Sequence, residues 1–423
     1  MTGPYTQTQP VRAGQAGEPP RLLPPVAGRT ENLRSHLART GRPRYRGQAL
    51  LQAVEAAGLT GRGGAAFPTH IKLAAVARAR GRTVVVANGA EGEPASGKDA
   101  ALLYHAPHLV LDGLQLAAEA TGAAEAYVYA HAWHVGWIQQ ALAERADDIP
   151  VTITEAPARF LAGQETALVS RVSGGPALPT FAVRRVTERG VHGAPTLVQN
   201  VETLAHLALI ARHGPDWFRQ KGTPAEPGTM LATVHGKGRP VIAELELGTP
   251  LADLITDGAA VLIGGYHGTW LPMATALTVT LDNLALRQHH AALGAGVIAV
   301  LPHQACGLIE TARVTHYLAA ESAGQCGPCL NGLPRIAAAM AELARPRPRA
   351  STVRDVERWT GLVTGRGACH HPDGTARLVR SALTAFAGEL RRHTAGQCSA
   401  TAHDPVLPIP PAHALPSADG DWL

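Results

Sequence analysis

Three cysteines offer the most specific chemistry in this chain. Cys326 and Cys329 form a C-x-x-C pair around Gly327 and Pro328, directly ahead of a helical pattern, and Cys369 lies in a Gly-rich turn before the last helical pattern. Helix N-termini favour thiolates, the state that binds metal. In a reducing compartment such a pair is usually a metal or redox pair rather than a structural disulfide. Cys306, beside Leu308 and Ile309, reads as a buried inert thiol, and Cys398 as a free thiol at the start of the tail.

A second group of residues could hold a phosphorylated ligand. The segment Gly58 to Thr69 contains Gly61-Arg62-Gly63-Gly64 and lies between two helical patterns, with Thr69 placed to cap the second. Clustered glycines let backbone N–H groups approach a phosphate, and a helix N-terminus adds a favourable dipole. The segment matches neither G-x-G-x-x-G after a strand nor the P-loop pattern. Composition therefore leaves two readings, a tight turn or a phosphate cradle, and Lys72, one turn into the helix, favours the cradle. The strand pattern Thr83 to Ala87 runs into Asn88-Gly89-Ala90-Glu91-Gly92-Glu93-Pro94, then Lys98-Asp99. Open α/β sheets bind ligands at the carboxyl ends of their strands, although a solvated turn is the plainer reading of any one such loop. Gly163-Gln164-Glu165-Thr166 opens a helical pattern and Gln199-Asn200-Val201-Glu202-Thr203 follows Pro195; neither is specific alone.

The apolar spacing supplies elements to position these residues. Leu50, Leu51, Val54 and Ala57 share a helical face, Ile71 to Ala79 forms a second helix, and strands fall at Thr83 to Ala87, Ala126 to Ala130 and Val151 to Thr154, with a helix around Val135 to Ala146. This is an α/β pattern over residues 45–224. Residues 225–306 carry strand runs at Met230 to Val234, Val241 to Leu247 and Ala260 to Ile263 with a short helix at Pro250 to Ile255, which suits a small α+β sheet domain. Over 307–395 the sets Ile336, Met340, Leu343, then Val356, Trp359, Val363, then Val379, Leu383, Phe386, Leu390 describe a helical bundle. Residues 1–44 and 396–423 are Pro-rich and read as disordered tails.

At 423 residues and 45% hydrophobic content, the chain suits two or three domains. Its 38 basic and 33 acidic residues are interspersed without a basic run, which argues against nucleic-acid binding. The longest apolar run, Ala291 to Leu301, falls well short of the roughly 18 to 20 residues that span a membrane, so no direct membrane insertion is expected. The N-terminus lacks a secretory pattern, and a cytoplasmic address is expected.

Taken in order, Gly61-Arg62-Gly63-Gly64 to Phe67-Pro68-Thr69, Asn88 to Pro94, Gly163-Gln-Glu-Thr-Ala-Leu, Asn200-Val-Glu-Thr-Leu and Glu321-Ser-Ala-Gly-Gln-Cys-Gly-Pro-Cys resemble one family. It is the FMN-binding, NADH-oxidising flavoprotein subunit of respiratory complex I, with the related diaphorase subunits of hydrogenases and formate dehydrogenases. The resemblance runs from about residue 45 to 392. It implies an α/β Rossmann-like flavin domain, a soluble-ligand-binding β-grasp domain and a C-terminal helical bundle holding a 4Fe-4S cluster. By this resemblance Gly61, Arg62, Gly63 and Lys72 hold FMN, and Asn88, Glu91, Glu165 and Asn200 occupy further flavin positions. Phe67 would pack adenine, Glu93 would be the catalytic acid facing the nicotinamide nucleotide, and Cys326, Cys329 and Cys369 would ligate the cluster. The implied activity is an NAD(P)H dehydrogenase of diaphorase type, passing electrons to a partner that in this family is a thioredoxin-like 2Fe-2S subunit.

The chain departs from the family pattern at informative places. Ala90 replaces an aspartate, Phe160 a tyrosine and Gln164 a glutamate, so fewer flavin hydrogen bonds are expected. Two further adenine-packing positions align with Ala75 and Arg185, and Arg184 with Arg185 would suit the extra phosphate of NADPH. Ala323 stands at the first position of C-x-x-C-x-x-C, leaving three thiolates where a cubane takes four ligands. His370 or an exogenous ligand would complete a 4Fe-4S site, a missing iron would give 3Fe-4S, and Cys326, Cys329, Cys369 and His370 also form an allowed zinc set. These losses motivate a second function, a docking or relay subunit of an electron-transfer complex without nicotinamide turnover.

Overall fold

The computed structural model describes residues 10–11, 20–25, 29–181, 183–402 and 404–410. After α1 (Leu33–Thr40) and α2 (Gly47–Ala57), α3 (Thr69–Ala77) leads to a four-stranded parallel sheet. Its strands are β2 (Val84–Gly89), β3 (Glu125–His131), β4 (Val151–Ala156) and β5 (Thr196–Asn200), in the order β4-β3-β2-β5. The Val-rich β2 is central and buried on both faces, as parallel strands covered by helices are. The covering helices include α4 (Lys98–His105), α5 (Pro107–Thr121), α6 (Ala132–Ala143), α7 (Glu165–Val172) and α8 (Val201–His213), with α9 (Pro215–Arg219) following. α5 and α8 are buried nearly all round and pack so closely that a Cβ on Gly113 would lie 2.0 Å from the Leu204 carbonyl oxygen.

A second, mixed sheet has the order β1-β7-β6-β10-β8-β9. Its strands are β1 (Pro10–Val11), β6 (Thr229–His235), β7 (Val241–Glu246), β8 (Ala260–Ile263), β9 (Thr269–Pro272) and β10 (Val297–Leu301), with short helices α10 (Met273–Ala276) and α11 (Asn283–Arg287) between strands. The longest apolar run of the sequence thus ends in β10, parallel to β6 and antiparallel to β8. The last unit is helical, with α12 (Gly307–Ala320), α13 (Leu333–Leu343), α14 (Thr352–Val363), α15 (His371–Ala385) and α16 (Ala387–Thr394). Leu333, Ile336, Met340, Val356, Val363 and Val379 form its core.

Three expectations need correction. The segment 1–44 is not wholly a disordered tail, because Leu22 and Leu23 are buried and residues 33–40 form α1; residues 1–9, 12–19 and 26–28 lie outside the described residues. The segment 396–423 is likewise packed as far as residue 410, where Leu407 is 1% exposed and Tyr266 donates to the Pro408 carbonyl; residues 403 and 411–423 are outside the described set. Thr69 does not cap α3: Pro68 holds the cap position, and Thr69 is the first helical residue.

Candidate functional site

The sheet order places the site. Strands run outward from β2 through β3 to β4 on one side, while β5 lies on the other, so the connections diverge between β2 and β5. Crevices at such switch points, at the carboxyl ends of the strands, are where α/β sheets bind ligands. Asn88, next to last in β2, pairs in register with Asn200, which ends β5 and caps α8 through a bond from the Glu202 N–H. A cavity of about 480 Å³ opens there. Gly63, Gly64 and Ala65, which carry no side chain beyond Cβ, line it with Asn88, Glu91, Glu93 and Asn200. Its size is that of a small-molecule site, and the bare backbone wall leaves room for a flat ring system.

A buried network of charges backs the cavity. Lys98 contacts Asp99 at 2.6 Å and Glu202 at 2.9 Å, and Asn200 donates to the other Asp99 oxygen at 2.6 Å. Burial opposes the Lys98 charge, but Asp99, Glu202 and Glu91 outweigh it and hold the ammonium charged. Burial likewise opposes the Glu202 charge, but Lys98 and His206 overcome it and drive the carboxyl down to about 2. Glu91, which accepts from Ser96 and the Asp99 N–H, is pushed up to about 8 by desolvation and the Asp99 charge. Glu93 accepts from the Ala95 N–H at 3.1 Å and the Tyr266 N–H at 2.7 Å, and burial still raises it to about 7. Both acids can therefore hold a proton near neutral pH.

Other expected ligand residues sit differently. The Arg62 guanidinium is turned into the protein, donating to the carbonyls of Thr60, Pro227 and Thr229, so it braces the glycine loop against the β6 approach. Lys72 and Glu165 pair with each other at 2.6 Å, half-exposed, and neither is among the residues lining the cavity. Phe67 is exposed, also outside the lining, and its carbonyl accepts from the Gly61 N–H to close the loop. Gln164 caps α7 through the Thr166 and Ala167 N–H groups, a role its amide oxygen fills without a carboxylate. Arg185 is exposed, and Thr180 bonds to Thr166, tying the loop that carries the exposed Phe181 beside Glu165.

The same cavity is lined by Cys369, His371 and Arg377 from the helical unit and by Phe160. Cys329 has Ser322 beside it and feels the charges of Cys326 and Cys369; burial and the two thiols push it up to about 12. Burial and Cys326 raise Cys369 in the same way. The three sequence-predicted cysteines thus lie in one another's electrostatic reach, with Cys326 and Cys329 at a π-turn (Pro328–Gly332) that opens α13, but their sulfurs and the His370 ring do not all come within 4.8 Å of one another, so the compact four-donor zinc set is not assembled. His370 has an exposed ring 3.4 Å from Asp373, and His371 is fixed to the Leu318 carbonyl at 2.8 Å. Sequence reasoning did not single out Ser322, His371 or Arg377. It also missed the Arg159 to Glu321 ion pair, 3.1 Å, which clamps the Phe160 loop to the start of the cysteine motif.

Comparison with known proteins agrees with this geometry. Residues 54–209 match the Nuo51 FMN-binding domain, and residues 310–393 match the NADH-ubiquinone oxidoreductase-F iron-sulfur binding region. An NADH-quinone oxidoreductase subunit of Rhizobium meliloti (strain 1021) is 29% identical over 82% of this chain and 89% of its own length. The mitochondrial NADH dehydrogenase [ubiquinone] flavoprotein 1 of Dictyostelium discoideum is 28% identical over 81% of this chain and 78% of its own. A chain of an NAD+-reducing [NiFe]-hydrogenase in the H2-reduced state superposes with a TM-score of 0.75 at 29% identity; the match covers 84% of this chain and 63% of the hydrogenase chain. The chain is a complex I flavoprotein-like subunit. Among the described residues no helix is long and apolar enough to cross a membrane.

Proposed function

We propose that this chain is an FMN-dependent NADH dehydrogenase subunit that feeds electrons through an iron–sulfur centre to a partner protein. The carrying observation is the single cavity lined by both Gly63, Asn88, Glu91 and Glu93 and by Cys369. The residues present fit a flavin at the switch point, and they fit a cluster to the extent of three thiolates from Cys326, Cys329 and Cys369. When bound, FMN would accept hydride from NADH, and the cluster would accept electrons singly.

The chain's own groups have defined tasks. Gly63, Gly64 and Ala65 present backbone to the ligand, and Asn88 and Asn200 fix the two strand ends. Glu93, held by two backbone N–H groups and raised by burial to about 7, can take up or release a proton near neutral pH and shapes the nucleotide side of the cavity. Lys98 supplies a fixed positive charge behind the ring site. A ligand reaching Lys72 has to separate it from Glu165. The finer division into a Rossmann-like flavin domain, a β-grasp domain and an iron–sulfur bundle, a thioredoxin-like 2Fe-2S partner and a cytoplasmic address belong to this reading.

The test is anaerobic titration of the purified protein with NADH and with NADPH, with acid-released flavin counted. About one FMN per chain, bleached by NADH, supports the proposal. A flavin-free protein without diaphorase turnover would favour the docking subunit that the loss of Ala323's cysteine counterpart motivates.

A further inference from the structure

The two cysteines outside the site just described do not behave as isolated thiols. Cys306, Glu389, His393 and Cys398 each offer one donor atom, and all four atoms lie within 4.8 Å of one another. The His393 Nε2 is 3.6 Å from Cys306 Sγ and 3.3 Å from Glu389 Oε1. Edges of roughly 3.3 to 3.8 Å are those of a tetrahedron with metal–sulfur bonds of about 2.3 Å and metal–nitrogen or metal–oxygen bonds of about 2.0 Å. None of the four residues lines the ligand cavity.

The surroundings prepare these atoms. The His393 Nδ1 lies 2.8 Å from the Leu343 carbonyl, which can only accept, so Nδ1 carries the proton and Nε2 turns its lone pair to the cluster. Glu389 and His393 are four residues apart on one face of α16. The helix then ends in a Schellman turn: the Gly396 N–H bonds to the His393 carbonyl, the Gln397 N–H to that of Arg392, and Gly396 takes a φ of +84°. That reversal folds Cys398 back onto the same face. Cys306 holds the N-cap position of α12, where the helix's first N–H groups favour a thiolate, and the Ala400 N–H lies 3.5 Å from Cys398 Sγ. Ser399 fixes the Glu389 carboxylate through its N–H and its hydroxyl.

We propose that Cys306, Glu389, His393 and Cys398 bind one structural zinc ion that fastens the C-terminal segment to the helical unit. Two thiolates, an imidazole and a carboxylate select zinc over magnesium or calcium, and four protein donors leave no open position for catalysis. The consequence is mechanical. Beyond Cys398 the Thr401 and Ala402 N–H groups bond to the Gln304 carbonyl, and Leu407 is buried with its N–H on Glu310, so the ion pins the base of a strap that crosses the bundle. This inference does not depend on flavin or nucleotide binding.

Elemental analysis of the full chain, with iron and zinc counted separately, tests it. The expected result is about one zinc per chain in the wild type and in Cys329→Ser, and none in Cys306→Ser/Cys398→Ser. Added Co2+ on chelator-stripped wild type should give visible bands of a tetrahedral site with two thiolates, and limited proteolysis of the cysteine pair variant should cut after residue 398. Co2+ binding to wild type needs no variant to fold. Zinc lost in Cys329→Ser but kept in the pair variant, a Cys306–Cys398 disulfide in the isolated protein, or no tetrahedral Co2+ spectrum would overturn the proposal.

Discussion

Glu91 and Glu93 carry the sharpest residue-level consequence. Their carboxyls titrate at about 8 and about 7, above the 4.5 of an exposed glutamate, so the native chain holds protons that the unfolded chain has released. The stability they contribute is fully present below about pH 4.5 and is lost as pH rises through about 7 and about 8. Stability should therefore fall between about pH 4.5 and about pH 8 and level off above it, and Glu93→Gln should remove on the order of 3 kcal/mol of that fall, read as melting temperature against pH. An unchanged slope in Glu93→Gln would show that Glu93 titrates normally. Ala323→Cys restores a fourth thiolate beside Cys326 and should raise the iron bound per chain, read by chemical iron analysis; unchanged iron would mean that the missing thiolate does not limit the site. At this scale the sequence was informative about residue type and poor about direction. The cysteine and strand-end amide positions were legible, but Arg62 bonds to carbonyls at residues 227 and 229, and Lys72 is engaged by Glu165; both partners lie far along the chain.

Elements explain which parts were readable. Helices with one apolar stripe, such as α13 and α14, announce themselves by period, and so does the Val-rich β2. α5 and α8, buried nearly all round, have no polar face to set a period, and β10 sits in an apolar run whose strand identity comes from pairing with β6, about 60 residues earlier. The C-terminal strap was missed because prolines around Val406, Leu407 and Ile409 resemble disorder, whereas the packing that holds them belongs to α12 and β8 residues. The close α5–α8 contact makes a direct prediction. Gly113→Ala must push the Leu204 backbone away and should cost about 2 to 4 kcal/mol, read as a lower denaturation midpoint with the same flavin site in the folded fraction. A midpoint within error of wild type would contradict the close packing.

Across the whole molecule, the three units meet at the cavity. Glu202 joins the parallel sheet to the mixed one by accepting from the Leu231 N–H at 2.7 Å, and Glu321 joins the Phe160 loop to the cysteine motif through Arg159 and the Phe160 N–H. Glu321→Gln should slow electron arrival at the iron–sulfur centre more than it slows flavin reduction, because it loosens the clamp between them without touching the flavin wall; equal slowing of both steps in stopped-flow would contradict this. On the proposed function, one cavity would serve both electron entry and electron exit. Anaerobic reduction by NADH, followed together by visible absorption and by electron paramagnetic resonance, tests that joint role most directly. Wild type should bleach its flavin and show a reduced iron–sulfur signal, while Cys369→Ser should still bleach and lose that signal. A flavin that bleaches in wild type with the centre left oxidised would contradict it.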